Sequence, residues 1–161
     1  MHANANMLNE LYSALDRGDH PTMAALYHPE AHFHDIAFDL RGKRLIHAMW
    51  HMIYDNGIET KIESVEADDK VGSASIVDRY DFEKDLAHGR AGRPVRNAIR
   101  SQFRFRDGLI IEHYDHSDPH AWGKAAMGGP KGFLAGRFRF LRSSVARGKL
   151  DNFIREHPDY W

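Results

Sequence analysis

Three residues carry the chemistry that this sequence offers most directly: Asp35, His113 and Asp115. Asp35 lies in AHFHDIAF, where strict alternation places Ala31, Phe33 and Asp35 on one face of a strand and His32 and His34 on the other. A carboxylate on an apolar face is costly unless it is paired, protonated or useful. Asp35 can therefore be a proton-transferring base, a cap for the following turn, or the partner of an arginine. In LIIEHYDHS the same period puts Ile111, His113 and Asp115 on one face. A histidine oriented by a carboxylate is an acid or base that works near neutral pH. The alternative for this pair is a polar stitch between the end of the sheet and a helix starting at Pro119, with Asp118 as its N-cap.

Twelve histidines, several of them two to four apart, raise the question of a metal. His47 and His51 share a helix face, but HAMWH lacks the glutamate of the HExxH pattern. Alternation sends His113 and His116 to opposite faces of their strand, and His32 and His34 point away from Asp35. Neither a metal site nor a cofactor is expected.

The elements that position these residues follow from periodicity. Met7, Leu8, Leu11, Tyr12 and Leu15 recur at helical spacing and Gly18 stops the run. A second short helix starts near Pro21, holds Met23, Ala24, Leu26 and Tyr27, and closes at Pro29. After the Asp35 strand and a turn at Arg41-Gly42, a third helix carries Leu45, Ile46, Met49, Trp50 and Ile53 on one face and ends at Asn56-Gly57. The period then changes to two. Residues 58–67 present Ile58, Thr60, Ile62 and Ser64 together, and Asp68-Asp69 turns the chain into a strand over 71–83. Two more strands meet at Asp107-Gly108, a tight-hairpin signal. The first of them sets Val95, Asn97, Ile99, Ser101, Phe103 and Phe105 against a solvated face of Arg96, Arg100, Gln102, Arg104 and Arg106. Four strands with one apolar face need a cover, and the N-terminal helices supply it. The expected fold class is α+β, a curved antiparallel sheet forming a cone over N-terminal helices. Residues 1–128 make that domain, and 129–161 form an amphipathic helical extension. A pocket holding Met49, Trp50, Tyr80 and Phe103, with Asp78 and Asn97 also facing inward, suits a small apolar ligand.

Composition closes off other classes. Lys and Arg total 22 against 23 Asp and Glu, a balance that gives no electrostatic argument for nucleic acid. There is no cysteine, so disulfides and thiolate metal sites are excluded. No apolar run reaches the length of a membrane span, and the N-terminal residues lack the pattern of a secretory signal, so a soluble cytoplasmic domain is expected.

The order helix, helix, strand, helix, four antiparallel strands resembles the nuclear transport factor 2-like superfamily, which includes ketosteroid isomerases and SnoaL-like polyketide cyclases. LYSALDRGDHPTMAALYHPEAHFHD resembles its opening helix pair and acidic strand, RGKRLIHAMW its third helix, and FRFRDGLIIEHYD its closing hairpin. The resemblance covers roughly residues 7–122 and implies homodimerisation through the open sheet face. It also implies that Asp35 is a proton-shuttling base like that of the isomerases. At the isomerase's oxyanion-hole positions stand Leu11, with Tyr12 one residue on, and Ser101, a weaker donor than a tuned acid or tyrosine. The implied function is a cofactor-free isomerase, cyclase or dehydratase, with Asp35, His113 and Asp115 catalytic and Tyr80 or Ser101 donating hydrogen bonds. The alternatives are a ligand-binding or protein-interaction domain of the same fold, and a chain whose basic tail docks on a surface.

Overall fold

The computed structural model describes all of residues 1–161. Helix α1 (Ala3–Arg17) is capped by the His2 ring, which accepts the Asn4 amide, and ends at Gly18 in the left-handed conformation. Its buried stripe of Leu8, Leu11, Tyr12 and Leu15 is the one its spacing predicts. Helix α2 (His20–Ala25) starts where the Asp19 carboxylate accepts the Thr22 amide. It does not run to Pro29. Tyr27 instead opens strand β1 (Tyr27–His34), because it pairs with Ile110, whose amide donates to the Leu26 carbonyl at 2.9 Å. Pro29 falls where the β1 register is interrupted between Tyr27 and His32, so its missing N–H costs no ladder bond.

A short strand β2 (Asp39–Arg41) returns antiparallel to β1, and helix α3 (Lys43–Asp55) buries Ile46, Met49 and Trp50 beneath the sheet. Strands β3 (Glu59–Ala67), β4 (Val71–Phe82), β5 (Arg93–Arg106) and β6 (Leu109–His116) form an antiparallel meander. Asp107 and Gly108 join the last two with φ of 53° and 72°, the positive pair that a tight hairpin requires. β1 pairs parallel to β6, so the curled, unclosed six-stranded sheet runs β2-β1-β6-β5-β4-β3 and is not wholly antiparallel.

Two register shifts re-aim side chains. One between Ile62 and Ser64 turns Val65 and Ala67 toward the helices, where alternation alone predicts Ser64. The other makes Ile111 the extra residue of β6, so Ile110 takes the buried place expected for Ile111. Beyond that bulge, His113 and Asp115 face inward as their spacing predicts.

Helices α4 (Pro119–Ala126), α5 (Gly129–Arg137) and α6 (Arg139–Glu156) complete the chain, followed by a single 3-10 turn at Pro158–Tyr160. The backbones of α4 and α5 touch at Gly123, Gly132 and Gly136; a Cβ on Gly136 would meet the His120 Cα at 3.0 Å. Leu150 of α6 is fully buried in the same core as Leu8, Met49 and Phe103, and Tyr160 joins it. The segment 129–161 thus shares the core of the residues before it. No helix is long and apolar enough to cross a membrane.

Candidate active site

A cavity of about 230 Å³ opens between the concave face of the sheet and the C-terminal helices. Its walls come from the turn after β1, from Trp50 and Ile53 of α3, from β4, β5 and β6, and from Trp122 of α4. Val145 and Ala146 of α6 roof it. The lining is mostly apolar, and five carboxylates break it: Asp81 and Glu83 are exposed and pair with Lys84 and Lys149, whereas Asp35, Asp78 and Asp115 have no Lys or Arg partner.

Asp35 is not on the strand. β1 ends at His34, and Asp35 begins the turn that leads to β2. Its Oδ1 accepts the amides of Ala37 at 2.7 Å and Phe38 at 2.6 Å, so the carboxylate does cap the turn. Both of these bonds go to Oδ1, and no Lys, Arg or His side chain forms an ion pair with the carboxylate. The two nearby arginines are spent on main-chain carbonyls: Arg139 donates to those of Asp35 and Phe38, and Arg142 to that of Ile36. Burial pushes the Asp35 carboxyl up to about 6 against the two amides that pull it down, and the Asp115 charge adds to the rise.

Asp78, on β4 beside Asn97 of β5, is buried and accepts the Thr60 hydroxyl at 2.7 Å. Burial pushes it up to about 7, with the Asp115 charge a smaller contribution in the same direction. Tyr80, two residues on, accepts the Trp122 indole N–H at 2.7 Å. Burial raises its phenol to about 12, so its own hydrogen stays in place for donation.

Behind the cavity wall, a chain of hydrogen bonds converges on Asp115. The Trp50 indole donates to Tyr27 Oη at 3.1 Å, and Tyr27 meets His113 Nδ1 at 2.7 Å. His113 Nε2 lies 2.8 Å from Asp115 Oδ1, which also accepts Ser101 Oγ at 2.5 Å. Ser101 in turn accepts the Tyr12 hydroxyl at 2.7 Å. One proton assignment satisfies every link: a neutral His113 accepts from Tyr27 at Nδ1 and donates to an ionised Asp115 from Nε2. Burial holds both Tyr12 and Tyr27 well above the ordinary phenol value, which keeps them donors. His113 has no exposed surface, and its ring packs 4.3 Å from Phe103 and 4.9 Å from Phe33 between centroids.

Of the residues singled out in the sequence, Asp35, Asp115, Trp50, Tyr80 and Asn97 are in the cavity wall. His113, Ser101, Tyr12, Met49 and Phe103 are buried behind it. His113 therefore meets Asp115 but not the space a ligand would fill. Tyr27 escaped notice because it was assigned to a helix. Alternation places Asp78 inward and Thr60 on the face of Ile58 and Ile62, but only pairing β3 with β4 brings the two together. The side chains that could hold a metal ion lie elsewhere, at His51, Asp55 and His157.

Residues 8–113 match the profile of the SnoaL-like domain. The chain belongs to the SnoaL-like domain family. Solved structures agree in fold. An LEH-like epoxide hydrolase from M. tuberculosis superposes with a TM-score of 0.63 at 19% identity, covering 86% of this chain and 95% of that one. TsrD from Streptomyces laurentii gives 0.65 at 16% identity, over 79% and 96%. A candidate SnoaL-like polyketide cyclase from Jannaschia sp. CCS1 gives 0.65 at 15%, over 80% and 94%. No curated protein matches the chain. As a SnoaL-like domain, the chain places its inward carboxylates on the turn after β1 and on β4 and β6, around one cavity.

Proposed function

We propose that this SnoaL-like protein is a cofactor-free cytoplasmic enzyme that shifts a proton on a small, largely apolar carbonyl compound, in an isomerase, cyclase or dehydratase type of reaction. The observation that carries this reading is that three of the carboxylates around one largely apolar cavity, Asp35, Asp78 and Asp115, have no cation from Lys or Arg paired with them, unlike the exposed Asp81 and Glu83. Its 230 Å³ is below the roughly 300–1,000 Å³ usual for drug-sized ligands, which fits a compact substrate.

In this reading the Asp35 carboxylate takes a proton from the carbon next to the carbonyl. Protonated Asp78 and the Tyr80 hydroxyl donate hydrogen bonds to the oxygen that becomes negative, and Asp35 returns the proton at a second carbon. Trp50 and Asn97 hold the substrate. The Asp115 charge favours the protonated form of Asp78. His113, Ser101 and Tyr12 are positioning residues that lock Asp115. The match of M. tuberculosis epoxide hydrolase and Jannaschia cyclase in fold supports an enzyme of this general type. Assembly as a homodimer through the open sheet face belongs to the same proposal.

The test is solvent-deuterium exchange at the α-carbons of a panel of small cyclic ketones and enones, followed by NMR. Asp35→Asn keeps an acceptor for the Ala37 and Phe38 amides but cannot take a proton. It should fold normally and lose at least ~100-fold of the exchange rate. Undiminished exchange in that variant would remove Asp35 from the mechanism. Because Asp35 also caps its turn, a ligand-binding domain is the second reading. Ketones that bind the wild type without exchange would favour it.

A further inference from the structure

Outside the cavity, helix α3 and the C-terminal turn bring a second group of titratable side chains together. His51 and Asp55 are one helical turn apart on α3, with Nε2 and Oδ2 3.4 Å from each other. His157 follows α6. One ligating atom from each of the three side chains lies within 4.8 Å of the other two.

The hydrogen bonds on the far side of the two rings bear on what this group can do. His157 Nδ1 is 2.7 Å from the Phe153 carbonyl oxygen, which can only accept. The proton of a neutral His157 therefore sits on Nδ1, and Nε2 keeps its lone pair. His51 Nδ1 is 2.9 Å from the Tyr160 hydroxyl, which can accept from it and leave Nε2 facing the Asp55 carboxylate. In that tautomer two acceptors face each other, an arrangement that a cation between them satisfies; in the other, the Tyr160 hydroxyl donates to Nδ1 and the Nε2–H points at Asp55. Histidines that bind metals characteristically donate their other N–H to a carbonyl, hydroxyl or carboxylate, as in the first tautomer. Stacking also holds both rings: His20 lies over His51 and Phe153 over His157, each at 3.8 Å between centroids.

We infer that His51, Asp55 and His157 form a binding site for a divalent transition metal of the zinc type, with a water molecule as the fourth ligand. Two imidazoles and one carboxylate suit such an ion, whose bonds of about 2.0–2.2 Å set ligand atoms about 3.3 Å apart. The half-exposed Asp55 has the freedom to close that distance. Bound metal would cross-link the C-terminal turn to α3, whose Trp50, Met52 and Ile53 line the cavity. The site is independent of the carboxylates proposed to do the chemistry, since none of its three ligands lines the cavity.

The experiment uses untagged, chelator-treated, desalted protein. Zn2+ at a hundredfold excess over its Kd should raise Tm by roughly 5–10 °C, and Co2+ should give the visible absorption band of a tetrahedral site. Asp55→Asn and His157→Ala should each weaken binding at least ~10-fold, whereas the exposed His116→Ala should leave it unchanged. Absence of both signals in the wild type would overturn the inference. So would a shift that survives in Asp55→Asn and His157→Ala, because the ion would then be adventitious. The asparagine variant alone decides the matter if the alanine variant fails to fold.

Discussion

At the residue scale, Asp35 and Asp78 face the same cavity with carboxyls raised to about 6 and about 7. A base works ionised and an oxyanion donor works protonated, so their order is the useful one: activity should rise with pH through about 6 and fall again through about 7. Replacing Asp78 by Asn should abolish the falling limb while the rising limb stays, which a pH profile of the exchange rate checks. A falling limb retained in that variant would assign it to another group. Linkage makes a separate prediction about stability. Folded Asp78 holds its proton more tightly than the unfolded chain, whose carboxyl has the ordinary value of 3.8. The stabilisation is full below that value and is lost as pH rises through about 7. Asp78→Asn removes the penalty and can still accept the Thr60 hydroxyl. Urea unfolding should find the variant more stable than the wild type at pH 8.5, by on the order of a few kcal/mol, and no more stable near pH 4. An equal difference at both values would show that Asp78 does not titrate in this range.

At the element scale, what the sequence made legible was local. The stripe of α1, the Gly18 stop, the Asp107-Gly108 hairpin and the inward face of β5 each follow from spacing within one segment. Features decided by a partner strand were not legible. Tyr27 left its helix to pair with Ile110, Ile111 gave up its place to a bulge, and β1 found a parallel neighbour about eighty residues downstream. The same limit hid the metal group, because His157 lies far along the chain from His51. The cap that Asp35 makes was legible, because the amides it accepts, those of Ala37 and Phe38, lie two and three residues on. Gly132 and Gly136 are poor helix formers, and the structure uses them to let α5 lie against α4. A Cβ on Gly132 would run into the Gly123 carbonyl, which is backbone and cannot swing aside. Gly132→Ala should therefore lower stability by about 1–3 kcal/mol, despite alanine's better helix propensity, and speed tryptic cleavage near Arg137 and Arg139. An unchanged Tm with unchanged proteolysis would show that α4 and α5 can separate at no cost.

At the scale of the whole molecule, the question is whether residues 129–161 are an appendage or part of the domain. The fully buried Leu150 sits in the main core, and Val145 and Ala146 line the cavity. Arg142 is 7% exposed, bridging the Ile36 carbonyl to those of Ala135 and Gly136. Removing the tail would uncover the apolar surface beneath Leu150 and leave the carbonyls of the Asp35 turn without their arginines. Exposed apolar area and lost hydrogen bonds act in the same direction, and nothing in residues 1–128 is placed to replace either. The turn that holds the proposed base would lose its support together with its roof. A chain ending at residue 128 should therefore keep much of its far-ultraviolet circular dichroism, lose the cooperative thermal transition, bind a hydrophobic dye and show no exchange activity. If it instead melts cooperatively at the full-length Tm, the tail is separable, and the Asp35 turn is organised by the sheet alone.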